Sequence, residues 1–522
     1  MGPKKTSGRL GMDPYSRLLR RFYEPLILLR VLGQTRGTHT LVSQDDKSQS
    51  RQFRRRRLLR NLSYLCDYEK GGDTTSSIAL EDTDQCYIFW IASNTARAGN
   101  RNLGFLKASL EQIRHIIVLK EEQRSPLEVR FTRAWVNFAE RRVKKEVKLL
   151  SRAINECKRY INKENSVPDS QLGKWLQQFI PDKGKPVADI CFQAYDQRKT
   201  PEFRSLEGKT YSGNGDIDPG EYESLFATVH HRLGRLAHHV RAPKEVIEDS
   251  LELAHLFDAY EICLVNPPLL NPPPSLTELH SIVKRMLPDK EPKLEEYIEA
   301  LVSLDHKYHI GQGIHEEYNN KNFQLRVHAE VQVLEHFCTN QLRYVDNDHY
   351  IGCSKPSCYC CHLYFRHHKS RPVEPESHQK IYLNWGVPAL PEGSKSPGYN
   401  MQRDLMNEMV KTIRKDALAQ IIQKAGPLKW HPDSLTGITI STTALPPEKV
   451  HLEENPLERQ LTSSSYDSTM PEVIPVTDAQ SRIAEEWSSS SLDNDNSSTC
   501  EPQGEAVSEF HSDSDSDGGA SL

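Results

Sequence analysis

Hydrophobic positions recur at helical spacing along most of this chain and at strand spacing along very little of it. Leu58, Leu62 and Leu65 fall on one face of a helix over residues 53–68 that Arg54 to Arg57 open. Phe131, Trp135 and Phe138 start a stripe that Val143, Val147, Leu150, Ile154 and Ile161 continue. Residues 127–162 therefore read as one long helix with an aromatic core-facing edge. Further helical patterns cover residues 222–260, 276–287, 292–304 and 401–425. Strand signals are short: Cys86 to Ile91, Tyr350 to Ser354, and Lys380 to Trp385. Asn266 to Ser275 (NPPLLNPPPS) interrupts both periods and reads as a stiff polyproline-type linker. From about residue 445 the chain is rich in Ser, Thr, Asp and Glu, and has too little apolar surface to bury to offset the entropy of folding.

This pattern predicts a basic, partly disordered N-terminus (1–50) and a mostly helical region (51–265). The Pro-rich linker (266–275), a compact α/β domain (276–430) and a disordered acidic tail (445–522) follow. Charge sharpens the division. The net −4 conceals about +11 over residues 1–60 and −14 over residues 451–522, so the tail is a candidate surface for protein partners or for the basic end of the chain. The four adjacent arginines read first as a solvated helix face, with a nuclear signal or a nucleic-acid patch as the alternatives. The apolar run Pro25 to Leu32 is interrupted by Arg30 and is far too short to span a bilayer, so no membrane partner is expected. Eleven cysteines, five of them within residues 338–361, suit a reducing compartment, cytoplasm or nucleus, with some thiols available to metal. His230, His231, His238 and His239 come as adjacent pairs that do not share a helix face, which argues against a metal site there.

The chemistry concentrates in one split cluster. His328-Ala329-Glu330 is followed thirty residues after the histidine by Cys358-Tyr359-Cys360-Cys361. One imidazole and two thiols three apart make a three-ligand Zn2+ site, His328, Cys358 and Cys361, with a fourth position left for water. Glu330 lies beside the set and is free to carry protons. The order H-x-E followed by P-C-x-x-C is the signature of zinc-dependent base deaminases. In that chemistry a zinc-bound hydroxide attacks the amino-bearing ring carbon while Glu330 shuttles the proton. Val327, Val331 and Leu334 predict a helix with His328 and Glu330 in its first turn. Ser357 reads as the N-cap of a second helix carrying both cysteines. Cys353, Cys360 and His362 compete for a closed structural site with His328.

The stretches around His328-Ala-Glu330, Tyr350-Ile-Gly-Cys-Ser-Lys-Pro-Ser-Cys358-Tyr-Cys-Cys361 and Ser377-His-Gln-Lys-Ile-Tyr-Leu-Asn-Trp385-Gly-Val-Pro388 resemble the fungal OTT-like nucleic acid/nucleotide deaminase family. Leu58–Asn94, with Tyr68-Glu-Lys-Gly-Gly-Asp73, and Arg232–Ala242 resemble the helical extension of such proteins. The resemblance implies a three-layer α/β/α cytidine-deaminase-like domain, with zinc on His328, Cys358 and Cys361 and Glu330 as proton shuttle. It also implies a nucleotide or nucleic-acid substrate. Two positions depart from the pattern: Ser357 stands where the wider superfamily has proline, and Gln379 stands where glycine is expected after His378. A non-catalytic, zinc-stabilised scaffold is the alternative function.

Overall fold

The computed structural model describes residues 12–41, 50–164, 167–181, 186–208, 219–288, 290–320 and 324–427. The acidic tail lies outside them. In chain order the elements are α1 (Pro14–Leu32), α2 (Arg51–Cys66), β1 (Ser76–Asp82), β2 (Tyr87–Ser93) and α3 (Ala96–Ile117). Next come α4 (Glu121–Phe138), α5 (Glu140–Glu164), α6 (Val167–Gln177), α7 (Ala188–Gln197), α8 (Pro201–Gly208), α9 (Pro219–Glu252) and β3 (Tyr260–Leu264). Then follow α10 (Leu279–Met286), α11 (Leu294–Tyr308), α12 (Ile310–Tyr318), α13 (Ala329–Thr339), β4 (Gly352–Cys353), α14 (Tyr359–His367) and α15 (Tyr399–Ile422). The architecture is α/β and strongly helical.

The strands form one mixed sheet in the order β3-β2-β1-β4. The β1–β2 and β1–β4 pairs are antiparallel and β2–β3 is parallel. Cross-strand partners share a face. Ile78 with Ile91 and Leu80 with Phe89 point into a core shared with α2, α3, α4 and the end of α9. Ala79 and Ala92 point the other way, into a core built from α1, α13, α14 and α15. A third core lies between α5, α6, α7 and α9.

Several expectations change here. The single helix over 127–162 is two helices meeting at Ala139, because Phe131 and Trp135 serve the sheet core while Val143 onward serves the third core. Phe138 at the junction stacks flat on Phe105, ring centroids 3.6 Å apart. Residues Lys380 to Trp385 do not form a strand but make isolated bridges, from Lys380 to Thr35 and from Trp385 to Arg326. A turn in which Trp385 N–H donates to the Tyr382 carbonyl at 3.2 Å prevents a ladder. Nor does the Pro-rich segment separate two independent cores. The strand β4 that follows it pairs with β1 that precedes it, and α1 packs against α15.

The arginine run has a structural use that spacing alone did not reveal. Arg55 and Arg56 reach Asp348, Arg55 also bonds Asp346 at 2.5 Å, and Arg57 makes a two-bond pair with the buried Asp249 at 2.6 and 2.8 Å. Arg54 contacts Glu248 and Asp249. The run ties α2 to α9 and to the loop before β4 and is not an open polyanion track. No helix among the described residues is long and apolar enough to cross a membrane.

Candidate metal centre

The helix α13 starts at Ala329 with His328 as its N-cap, in extended backbone, and the imidazole makes no capping bond. The Ala329 N–H is met instead by the Asn94 Oδ1 at 2.8 Å, from the loop that leaves β2. Gln332 fixes the same turn by donating to the Val327 and Ser93 carbonyls at 2.7 and 3.1 Å. The His328 ring is thereby free to face α14. There the N-cap is Cys358, not Ser357: its sulfur accepts the Cys361 N–H at 3.4 Å. Ser357 instead spends its carbonyl on Ser377 Oγ and the His378 N–H, at 2.9 and 3.1 Å.

These two helix starts bring His328 Nδ1 to 3.6 Å from Cys358 Sγ and 3.4 Å from Cys361 Sγ. All three residues are buried, and they are the one group of three or more His, Cys, Asp or Glu ligand atoms gathered closely enough for a metal among the described residues. Tetrahedral coordination with M–N of about 2.0–2.1 Å and M–S of about 2.3 Å places nitrogen and sulfur roughly 3.5 Å apart. The donor set and its spacing fit a soft-to-borderline cation such as Zn2+.

The charges follow from burial and proximity. Burial raises the Cys358 thiol, but the hydrogen bond with Cys361 and the charge of His328 outweigh it and bring its pKa down to about 6. Burial lowers His328, and the Cys358 thiolate and Glu330 overturn that, holding the imidazole above its ordinary value. Cys361 is pushed up by burial and by the Cys358 thiolate beside it. A cation taking both sulfurs therefore displaces the second proton on binding. The Trp385 indole N–H donates to Cys361 Sγ at 3.1 Å, which helps a charged sulfur.

Glu330 is buried in the first turn of α13, outside the three-atom set, and Cys353 Sγ–H donates to its Oε2 at 3.9 Å. The competitors do not join the cluster. Cys353 faces that carboxylate, Cys360 sits in the core near Tyr23, and His362 Nε2 bonds Arg366 at 2.9 Å. The charged partners that brace the site were not legible in the sequence. Asp67, at the end of α2, is wholly buried and lies 3.3 Å from both Lys355 and Arg142. Arg326 pairs with Asp73, and Lys355 also bonds the Gly71 carbonyl. The Tyr68–Asp73 loop is thus fastened to both arms of the cluster.

The aromatic neighbours separate cleanly. Tyr359 and Tyr364 donate to Asp416 and Glu335, each at 2.7 Å, and Phe365 is core. Tyr382 is half-buried, its ring 6.3 Å from the His328 ring and 5.6 Å from the His378 ring. Gln379 has φ +54, in the left-handed region that favours glycine. Its side chain donates to Thr40 Oγ1 at 3.0 Å. Residues 327–389 match a family model described as an OTT_1508-like deaminase, so the chain carries a domain of that deaminase family. Searches of curated proteins and of solved structures found no match.

Proposed function

We propose that this deaminase-type domain is a zinc-dependent hydrolase that removes the amino group from a nucleobase carried by a nucleotide or nucleic acid. His328, Cys358 and Cys361 would hold the zinc, and Glu330 would be the catalytic proton carrier. When bound, the metal supplies Lewis acidity that makes a water nucleophilic near neutral pH. Glu330 would take a proton from the attacking water at its carboxylate and pass it to the ring nitrogen next to the reacting carbon. It would then carry the proton of the newly added hydroxyl to the amino group, which leaves as ammonia as the C–N bond breaks and the carbonyl forms. Tyr382 offers the base a face to stack on beside His328. Asn94 and Gln332 hold the first turn of α13 so that imidazole and carboxylate keep their separation. The same reading makes the domain a three-layer α/β/α unit, supported by the two different cores that β1 and β2 face.

One observation carries the proposal: a buried carboxylate stands beside a three-ligand set without belonging to it. A purely structural site has no use for that carboxylate and completes its shell with a fourth ligand. The test is ammonia release by the zinc-loaded chain from nucleosides, nucleotides, single-stranded DNA and single-stranded RNA, with Glu330→Gln in parallel. A loss of about 10²–10⁴-fold in Glu330→Gln with zinc content unchanged is expected. Equal inertness of both proteins on the whole panel would favour the scaffold function.

A further inference from the structure

Residues 265–277 carry a burial period of three. Val265, Pro268, Asn271, Pro274 and Thr277 face the protein, while all eight residues between them are exposed. Leu269, Leu270 and Leu276 are 65%, 53% and 56% exposed, whereas Asn271 and Thr277 are 6% and 7% exposed. Neither α-helix nor strand gives that period, and no 3₁₀-helix forms over these residues. A polyproline II helix does, with three residues per turn and about 3.1 Å per residue. The run Asn266-Pro-Pro-Leu-Leu-Asn-Pro-Pro-Pro-Ser275 supplies the residues that favour it.

The inner edge is fastened by specific bonds. Asn271 accepts from Tyr15 Oη at 2.9 Å and donates to the Val387 carbonyl at 3.0 Å. The Ala389 N–H donates to the Leu269 carbonyl at 2.9 Å, and Thr277 Oγ1 donates to Glu24 at 2.9 Å. The segment is therefore held at its middle and at its end. Its outer edges are Asn266-Leu269-Pro272-Ser275 and the wholly apolar Pro267-Leu270-Pro273-Leu276.

We propose that this outer edge is a preformed docking ligand for a protein module whose aromatic-lined groove reads polyproline II segments. Such grooves take alternating proline and aliphatic side chains at a three-residue period. A ligand already held in that conformation loses little entropy on binding. The ridge is about 31 Å long over ten residues and one side chain wide, too narrow for the roughly 800 Å² per partner of a stable self-association. A groove that wraps the ridge suits it better than a flat second copy. The inference rests on the fold and is independent of whether the metal centre deaminates anything.

The experiment titrates the full chain into isolated SH3, WW and EVH1 domains, following the tryptophan fluorescence of each groove. At least one class is expected to bind. Leu270→Ser with Pro273→Ser should weaken that binding at least tenfold, while Leu269→Ser on the other edge changes it less than threefold. Asn271→Ala should weaken it by releasing the anchored edge, with the apolar ridge intact. Circular dichroism of each variant separates loss of binding from loss of fold. Absence of binding to all three classes overturns the proposal, as does binding that ignores the Leu270/Pro273 change. A chain that dimerises through this edge, and loses the dimer in the same double variant, also overturns it.

Discussion

Asp67 and Lys355, 288 positions apart, lie 3.3 Å from each other with the carboxylate wholly buried. Asp67 ends the second helix and Lys355 opens the turn that delivers Cys358. Burial works against the Asp67 charge, yet Lys355 and Arg142 together hold its carboxyl below the usual range. Asp67→Asn leaves Arg142 buried without its counter-charge and should cost about 3–5 kcal/mol of stability in urea denaturation. Because the folded carboxyl ionises more readily than the unfolded one, its contribution is present above about pH 4 and is lost as pH falls through the lower folded value. Lys355→Met should cost less, since Arg142 remains. An unchanged denaturation midpoint in Asp67→Asn would show that the network is not a structural tie.

Gly352 makes a second tie between the halves of the chain. A Cβ at this position would lie 2.5 Å from the Leu59 carbonyl carbon, 2.6 Å from its oxygen and 2.7 Å from the Arg60 nitrogen. These are backbone atoms of α2 and cannot turn aside. Gly352→Ala should therefore push β4 off α2 at about 1–3 kcal/mol. It should also weaken the bond in which Ser63 Oγ donates to the Gly352 carbonyl at 3.0 Å. The check is the denaturation midpoint together with hydrogen exchange of the β4 amides.

What was legible in the sequence is what depends on short spacing. His328 and Glu330 two apart, and Cys358 and Cys361 three apart, report a helix turn whatever surrounds them, and the structure brings His328, Cys358 and Cys361 together. Long-range partners leave no such trace. Asn94 holds the first turn of α13 across 235 positions, and nothing near Asn94 announces it. The charge run Arg54–Arg57 gave no sign that its partners would be Asp348 and Asp249, because charge alone does not tell solvent from counter-ion. The continuous stripe from Phe131 to Ile161 concealed a break at Ala139, since both halves keep the helical period while serving different cores.

The histidine pair in α9 should make stability fall in mild acid. His238 and His239 pack against Tyr64, ring centroids 4.4 and 5.4 Å away. Burial, with Arg142 nearby, lowers both. Glu245 opposes the shift at His238, Arg241 and Arg60 add to it, and Arg235 adds to it at His239. His238 is brought down to about 3. The unfolded chain binds these protons near pH 6.5 and the folded chain does not. Stability is therefore full above about pH 6.5 and falls toward pH 3, by up to about 1.4 kcal/mol per pH unit for each group. His238→Gln with His239→Gln should flatten that slope between pH 6.5 and 4.5. A slope equal to that of the original chain would place the acid sensitivity elsewhere.

The bond from Trp385 to Cys361 predicts how the metal centre is tuned. The indole is wholly buried, and its only polar atom donates to Sγ at 3.1 Å. Phe22 and Tyr364 hold the ring in place at 5.5 and 5.8 Å. Trp385→Phe keeps an aromatic ring among these neighbours but removes the donor, so it acts on the sulfur's charge more than on packing. Outer partners of this kind are typically worth 10–100-fold in metal affinity. Zinc affinity measured by chelator competition should fall by that factor, while Cys361→Ser, which removes the ligand itself, should fall further. Zinc held at this site would also link to folding: at a thousandfold excess over its dissociation constant, it would add about 4 kcal/mol to the stability of the folded chain. Thermal unfolding with and without zinc should accordingly show a smaller gain for Trp385→Phe than for the original chain. If both proteins gain equally at the same sub-saturating free zinc, the indole is packing alone and the sulfur's charge is set by His328 and the α14 N-terminus.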